Sequence, residues 1–362
     1  MKVLSLTLEN YKRFKEQTLD FRDPETGLAK DLIVLVGQNG AGKSSILQAI
    51  AFMLGTATGR LKSPAELDWP GFDWSQVSIA WKRPLSIKMD VSFSDDEIKA
   101  TIDYFERTYL ADRSDAIKPG ENPVVRLELN PESQQVRADT HAGFYQFRGR
   151  DYARIIRKES AESFALFRRV GTLFWYTEQR TTSSLTPAVE ATAREKVPSG
   201  PSEMDLLRRR LSDYMQFHER IKRGERVLRP GERDLFSDLE NAYSTVFPGH
   251  RFDGPVPRTE IDEVLSEPWF YLYDGRRVYE LGEMSGGERA VFPLIFDFAV
   301  WNIHNSVVLI DELELHLHPP LQQGLLKALR GLGENNQFIL TTHSDAVATV
   351  TPEASLYRLE LN

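Results

Sequence analysis

The stretch Gly37 to Ser45 (GQNGAGKSS) fits the spacing G-x-x-x-x-G-K-[ST], which lets a backbone wrap around a phosphate. Gly37, Gly40 and Gly42, with Asn39 and Ala41 between them, allow the positive φ values that curl N–H groups toward a β-phosphate. Lys43 supplies a point charge within reach of the β- and γ-phosphates, and Ser44 a hydroxyl for Mg2+. Ser45 lies in the first turn of the following helix, whose N-terminus adds partial positive charge. The motif predicts a nucleotide site. A second group stands at Val307–Ile310 (VVLI), an apolar run that ends on Asp311 and Glu312. Asp311 is placed to hold Mg2+ through its water shell, and Glu312 to position and polarise an attacking water. A third run, Phe338–Thr342 (FILTT), delivers His343, Ser344 and Asp345; a lone histidine at a strand end is more often a structural cap. Ser285, Gly286 and Gly287 head an apolar helix at 290–300, a weak signal by itself.

These groups need strands that end in one place. Residues 31–36 (DLIVLV) read as a buried strand and 45–54 (SILQAIAFML) as a helix with an apolar face, the context that the glycine loop requires. Lys2 to Glu9 alternates as a strand, as does 85–93, and 124–129 and 143–147 add two more. Residues 95–109 carry acids in the first turn and Ile98, Ile102 and Phe105 at helical spacing, which predicts an amphipathic helix. Trp69, Trp74 and Trp81 lie in an irregular stretch and read as loop anchors packed on a core. Leu173 to Thr177 (LFWYT) reads as a central strand running into Glu178, Gln179 and Arg180. Residues 181–201 are rich in Ser, Thr and Pro and read as a linker. Helices are expected at 203–223 and around Leu235, Leu239 and Tyr243, and a hairpin through Asp274-Gly275. The organisation expected is one domain over 1–362 built from both ends, about 1–60 and 265–362 plus the strand near 171–179. Segments 61–170 and 181–264 are expected to form a helical and irregular insertion lobe.

With 41% hydrophobic and 27% charged residues the chain has a globular composition, and no apolar run approaches the length of a membrane span. No apolar leader is legible at the start, so the reading is a cytoplasmic protein without a membrane partner. The absence of cysteine excludes thiolate metal sites and cysteine nucleophiles. A net charge of -8 argues against a uniformly basic nucleic-acid coat while leaving a local basic groove open.

Taken together, ENYKRF, GQNGAGKSS, MSGGER, VVLIDELELHLHP and LTTHS resemble the ATP-binding-cassette class in its RecF, SMC and OLD-like branch. The resemblance covers both ends of the chain. It implies an α/β fold, a P-loop NTPase of the ABC-ATPase head type, with an N-terminal mixed-sheet lobe and a helical insertion and signature lobe. By resemblance Gly37–Ser45 is the Walker A loop, Ser285, Gly286, Gly287 and Glu288 the signature motif, Asp311 the Walker B acid and Glu312 the catalytic glutamate. His343 resembles the switch histidine at the γ-phosphate. Gln179 resembles the glutamine that ligates the metal, with Glu178 or Arg180 as alternatives, and Lys12 or Arg13 a basic residue touching the phosphates. Leu317, His318 and Pro319 would belong to the loop that crosses a dimer. The sequence departs from the pattern at Leu313, where proline is usual. Too little chain follows His343 for a fused nuclease, and one strand, 355–361, is expected there.

The resemblance implies an ATPase using ATP and Mg2+, in which two copies sandwich the nucleotide, because the signature serine faces the γ-phosphate held by the other subunit. The output expected of it is action on DNA, in repair or in anti-phage defence, with any nuclease or toxin effector supplied by a separate polypeptide. Arginine runs (Arg148, Arg150, Arg154, Arg157; then Arg208 to Arg226) favour DNA if they are unpaired; the alternative is a solvated face interleaved with acids. A transporter's nucleotide-binding subunit is the runner-up, disfavoured by the long chain between Gly37 and Ser285.

Overall fold

The computed structural model describes residues 1–77, 84–159, 165–178, 203–229, 232–257 and 268–360. Alternating apolar and polar residues along Lys2–Tyr11 (β1) and Phe14–Asp20 (β2) bury one face of an antiparallel pair. Leu32–Val36 (β3) has no such alternation. Its first four residues are buried, as a strand of a parallel sheet covered on both faces must be. Ser86–Ser92 (β4), Val124–Asn130 (β5) and Gln135–Ala138 (β6) extend the first sheet in the order β2-β1-β4-β5-β6. Leu173–Tyr176 (β7), Val307–Ile310 (β11), Gln337–Thr342 (β12) and Leu356–Arg358 (β13) join β3 in a parallel sheet ordered β13-β3-β12-β11-β7. Arg251–Val256 (β8), Trp269–Tyr273 (β9) and Val278–Glu280 (β10) form a separate three-stranded sheet.

The chain divides into two units. One holds Met1–Leu185, Ile303–Leu315 and Gly333–Asn362, with both large sheets; the other holds Thr186–Asn302 and His316–Leu332. Within the first unit the helix Lys43–Ala57 is buried nearly all round, which the apolar run ILQAIAFML demands. Ile46, Ile50 and Leu54 share a core with Leu6 and Leu8 of β1, Ile87 of β4 and Ile33 and Leu35 of β3. Phe52 packs edge-on to Trp74 and tilted to Phe72, so Trp74 is a loop anchor; Trp69 is buried in the same core, and Trp81 lies outside the described residues.

The second unit contains the helices Glu203–Lys222, Leu235–Val246, Gly286–Trp301 and Pro319–Leu329 beside the β8–β10 sheet. The Asp274-Gly275 hairpin joins β9 to β10 as expected.

Two expectations need correcting. Residues 86–138 do not belong to a helical, irregular lobe: their alternating strands complete the N-terminal sheet, because β1 has an unpaired edge that β4 fills over seven register pairs. Residues 143–147 are helical, not extended. Thr140 caps a turn at His141–Tyr145 by accepting the Gly143 N–H at 3.0 Å, and Phe144 and Phe147 are spaced for a helix face.

The wedged helix makes the first unit sensitive to its core. Ile50 is fully buried, so Ile50→Ala is expected to cost about 2–5 kcal/mol. Chemical denaturation measures this, and a shift in midpoint worth under about 0.5 kcal/mol, the size of a surface change, counts against the wedged position.

Candidate nucleotide site

The parallel sheet aligns its carboxyl ends. Val36 of β3 pairs with Thr342 of β12, and Ile310 of β11 pairs with Leu340 of β12 and Tyr176 of β7. The glycine loop, Asp311–Glu312, His343 and Glu178 therefore leave the same edge of one sheet, where open α/β sheets bind ligands.

In the loop, Gly40 and Gly42 have φ of +80° and +90°, and Gly42 caps the buried helix. A Cβ on Gly42 would stand 2.4 Å from the Phe14 ring and 2.9 Å from the Arg13 side chain. Lys43 is buried, and its ammonium donates to the carbonyl oxygens of Gly37 (2.7 Å) and Gln38 (3.2 Å), folding back over the loop. A phosphate entering the loop offers that ammonium a charge-assisted partner in place of two neutral carbonyls.

Ser44 Oγ donates to Asp311 Oδ1 at 3.0 Å, and Thr341 Oγ1 donates to the same oxygen at 2.5 Å. Thr341 also accepts the backbone N–H of Glu312 at 2.8 Å, holding that residue at φ +46°. Leu313 N–H donates to the Thr341 carbonyl at 3.0 Å. A proline at 313 could not make that bond, so the departure from the family pattern adds a tie between β11 and β12.

Burial raises Glu312 above the ordinary glutamate range, and the Asp311 and Glu314 carboxylates raise it further, with His343 working the other way. Ser44 and Asp311 thus offer two oxygen ligands amid an excess of negative charge. This is the sparse set Mg2+ takes when phosphates supply the rest. Among the described residues no group of three or more histidine, aspartate or glutamate side chains could hold a metal unaided. The residues present fit a magnesium nucleotide rather than a metal caged by protein.

His343 is half-exposed at the end of β12. Its backbone N–H and its Nδ1 both meet Glu314 Oε1, at 2.7 and 2.9 Å. Of the two basic candidates, Arg13 is the one at the loop, its guanidinium donating to the Gly40 carbonyl. Lys12 turns to Gln48 Oε1 (2.5 Å) and the Phe72 ring, and burial lowers its pKa. Glu178 follows β7 at the sheet edge; Gln179 and Arg180 lie outside the described residues.

Ser285, Gly286 and Gly287 belong to the second unit. Ser285 is exposed and caps the helix Gly286–Trp301 through a capping box: its Oγ accepts the Glu288 N–H, and Glu288 Oε2 accepts the Ser285 N–H at 2.8 Å. Glu288 is buried beneath it. Burial opposes its ionisation, but hydrogen bonds from Tyr243 (2.6 Å) and Tyr279 outweigh this and hold it below the usual range. Leu317, His318 and Pro319 are in the same unit, with His318 capping the helix Pro319–Leu329.

A family model described as "AAA domain, putative AbiEii toxin, Type IV TA system" matches residues 32–349. The chain belongs to that family. It is similar to a retron Ec83 probable ATPase of Escherichia coli, 24% identical over 99% of this chain and 72% of the relative. A retron Vc95 probable ATPase of Vibrio cholerae serotype O1 biovar El Tor is 23% identical over 98% of this chain and 72% of its own length. Among solved structures, an SMC head bound to the C-winged helix domain of ScpA superposes with a TM-score of 0.52 at 16% identity, covering 96% of this chain and 91% of that one. This likeness establishes the fold, a P-loop ABC-ATPase head. The AAA-domain chain is an ATPase of the RecF and SMC-like class.

Sequence reasoning missed Thr341 and Glu314 in this ATPase. The signals were present: a threonine pair closing the strand before His343, and a third acid two residues after Glu312. What was not legible is that β11 and β12 are neighbours. Replacing Thr341 with the isosteric valine should leave the fold intact while the Glu312 turn loses its anchor and Asp311 its donor. Turnover is expected to fall about 10- to 100-fold, the usual size for removing a group that orients a ligand. Phosphate release at saturating magnesium reads it, and wild-type turnover in Thr341→Val would mean that Asp311 and Glu312 hold their positions without this hydroxyl.

Proposed function

We propose that this ATPase is a switch that dimerises around ATP. Lys43, the loop amides and Arg13 hold the phosphates, Ser44 and Asp311 hold magnesium, and Glu312 takes a proton from the attacking water. Bound magnesium neutralises charge on the β- and γ-phosphates. A glutamate whose pKa is raised by burial and by neighbouring carboxylates is a better base than an exposed one. His343, which leaves the same sheet edge as the glycine loop, would meet the γ-phosphate.

The observation that carries dimerisation is the state of Ser285. Its oxygen accepts the Glu288 N–H while the residue stays exposed, so the hydroxyl is held at the start of the helix facing outward. Exposed at a helix N-terminus beside Gly286, it offers a donor, two backbone amides and a positive helix end to an anion brought by a second copy. The Glu288, Tyr243 and Tyr279 network holds the serine rigidly, so closing the dimer orders little that is not already ordered.

The output proposed is action on a separate effector protein, in defence rather than transport. The two relatives are named as retron ATPases, and the family description includes a toxin; no helix among the described residues is long and apolar enough to cross a membrane. Direct reading of DNA by the arginine runs has weaker support. Arg208 is buried, pairs with Glu280 and Asp205 and lies over Trp269. Arg226 pairs with Glu232, and Arg148 and Arg154 both pair with Asp151. A cytoplasmic setting follows from this reading.

Glu312→Gln should bind ATP and hydrolyse it at least about 100-fold more slowly, and should accumulate as a dimer. Ser285→Arg should bind ATP as a monomer and fail to dimerise. Light scattering with and without ATP, beside phosphate release, tests both, and a Ser285→Arg protein that closes normally would overturn the shared-site reading. Duplex DNA binding is expected to be weak at moderate salt and unaltered by replacing Arg208. Binding that steepens on ATP addition and falls with salt would move the output to DNA.

A further inference from the structure

We infer that Glu280 is a positioning residue for Ser285: it pins the turn that delivers the serine, with Arg208 as its counter-ion. The inference rests on the reading of Ser285 just given, and every residue in it lies in the second unit. Glu280 ends β10, and Leu281 to Glu283 make one tight turn before Met284 and Ser285. Leu281 and Met284 are buried, whereas Ser285 is exposed. Between the two apolar anchors, both backbone groups of Gly282 are taken. Its N–H donates to Glu280 Oε2 at 2.7 Å, and its carbonyl accepts from the guanidinium of Arg289, in the first turn of the helix that Ser285 caps.

The Glu280 carboxylate is largely buried, and each of its oxygens accepts two bonds. Oε1 takes Arg208 Nε at 2.8 Å and the Phe270 N–H at 3.5 Å; Oε2 takes Arg208 Nη2 at 2.9 Å and the Gly282 N–H. Arg208 is fixed in turn by Asp205 at 2.9 Å and by the Trp269 ring. The turn before Ser285 is thereby tied to the helix Glu203–Lys222 and to β9, not only to its own strand. Burial opposes ionisation of Glu280, but the Arg208 guanidinium and the Gly282 N–H outweigh it and hold the carboxyl below the usual glutamate range. A carboxylate needed only to balance Arg208 would be complete with two parallel bonds; the further bond to Gly282 couples that ion pair to the turn. The fit is close, since a Cβ on Gly282 would stand 2.9 Å from Glu280 Oε2 and 3.3 Å from Arg208 Nη2. The capping box fixes Ser285 relative to its helix, and Glu280 fixes where the chain enters that helix. An anion brought by a second copy has to meet the hydroxyl and the glycine amides at once, so a turn that drifts loses the set.

The test measures ATP-driven dimerisation of the full chain in the Glu312→Gln background, used to keep ATP intact. Glu280→Gln is nearly isosteric, yet whichever way its amide turns, the NH2 group meets two N–H donors. Its dimer dissociation constant with ATP, from light scattering across a concentration series, should rise about 10- to 100-fold. ATP affinity of the monomer should stay within about threefold of the background, because the glycine loop lies in the other unit. Combined with Ser285→Ala, Glu280→Gln should weaken the dimer no further than Ser285→Ala alone, a result that general loosening of the unit would not give. Gly282→Ala, which crowds the carboxylate off the turn while keeping both charges, should match Glu280→Gln and carries the test if that variant does not fold. Normal closure in either variant, or losses that multiply in the double variant, would overturn the positioning role while leaving Ser285 in place. Normal closure in Ser285→Ala would instead bring down the shared-site reading, and this inference with it.

Discussion

A single hydroxyl, that of Thr341, joins the two strands whose ends carry the acids and the histidine. It donates to Asp311 and accepts from the Glu312 N–H, so both acids at the end of β11 share one anchor. Because Thr341 is fully buried, neither bond competes with water. An unmade partner there would leave a desolvated polar group costing about 1–3 kcal/mol. Leu313, in the turn that follows β11, adds its own N–H to the Thr341 carbonyl. Together these bonds hold Glu312 in a left-handed backbone conformation that a glutamate rarely takes. Strain of this kind persists only where the surroundings over-determine it.

The same logic extends outward. The buried helix after the glycine loop is gripped by both sheets of the first unit, so the loop starts on a strand and ends on an element that cannot shift without disturbing the core. Gly42 leaves no room for a side chain against Phe14 and Arg13. The loop is therefore shaped before any phosphate arrives, and Lys43, resting on two loop carbonyls, has only a short rearrangement to make. Preformed loops of this kind spend little of their binding energy on ordering. Ser285 is held by different means, a capping box over a buried glutamate with two tyrosine donors, in a unit that contains none of the glycine loop.

Much of the site could be read directly from the residues. Glycine spacing, the strand before it and the apolar helix after it are local signals, and each was where its chemistry required. The parallel strands were legible because continuous apolar runs such as VVLI and FILTT admit few other fates. What could not be read was adjacency. Nothing in the spacing between Thr341 and Asp311 says that β12 lies beside β11, so Thr341 and the contact between Glu314 and His343 became visible only when the register was known. The N-terminal sheet failed for the same reason: β4 and β5 were recognised as strands, but β1, which pairs with β4, lies more than 70 residues away in sequence.

The arginines make the reverse point, that a correct local pattern can mislead when its partners are distant. Arg208, Arg209 and Arg210 read as a basic run, yet the first of them is among the most buried charges in its unit, clamped by Glu280 from β10 and stacked on Trp269 of β9. A guanidinium so placed fixes the helix Glu203–Lys222 to the small sheet, since its planar fork matches one carboxylate in two parallel bonds. Glu280 in turn accepts the Gly282 N–H, three residues before Ser285. The charge that resembled a nucleic-acid contact is thus part of the scaffold leading into the turn at Ser285. Loss of Arg208 would be felt first at that turn, a structural effect independent of any bound nucleic acid.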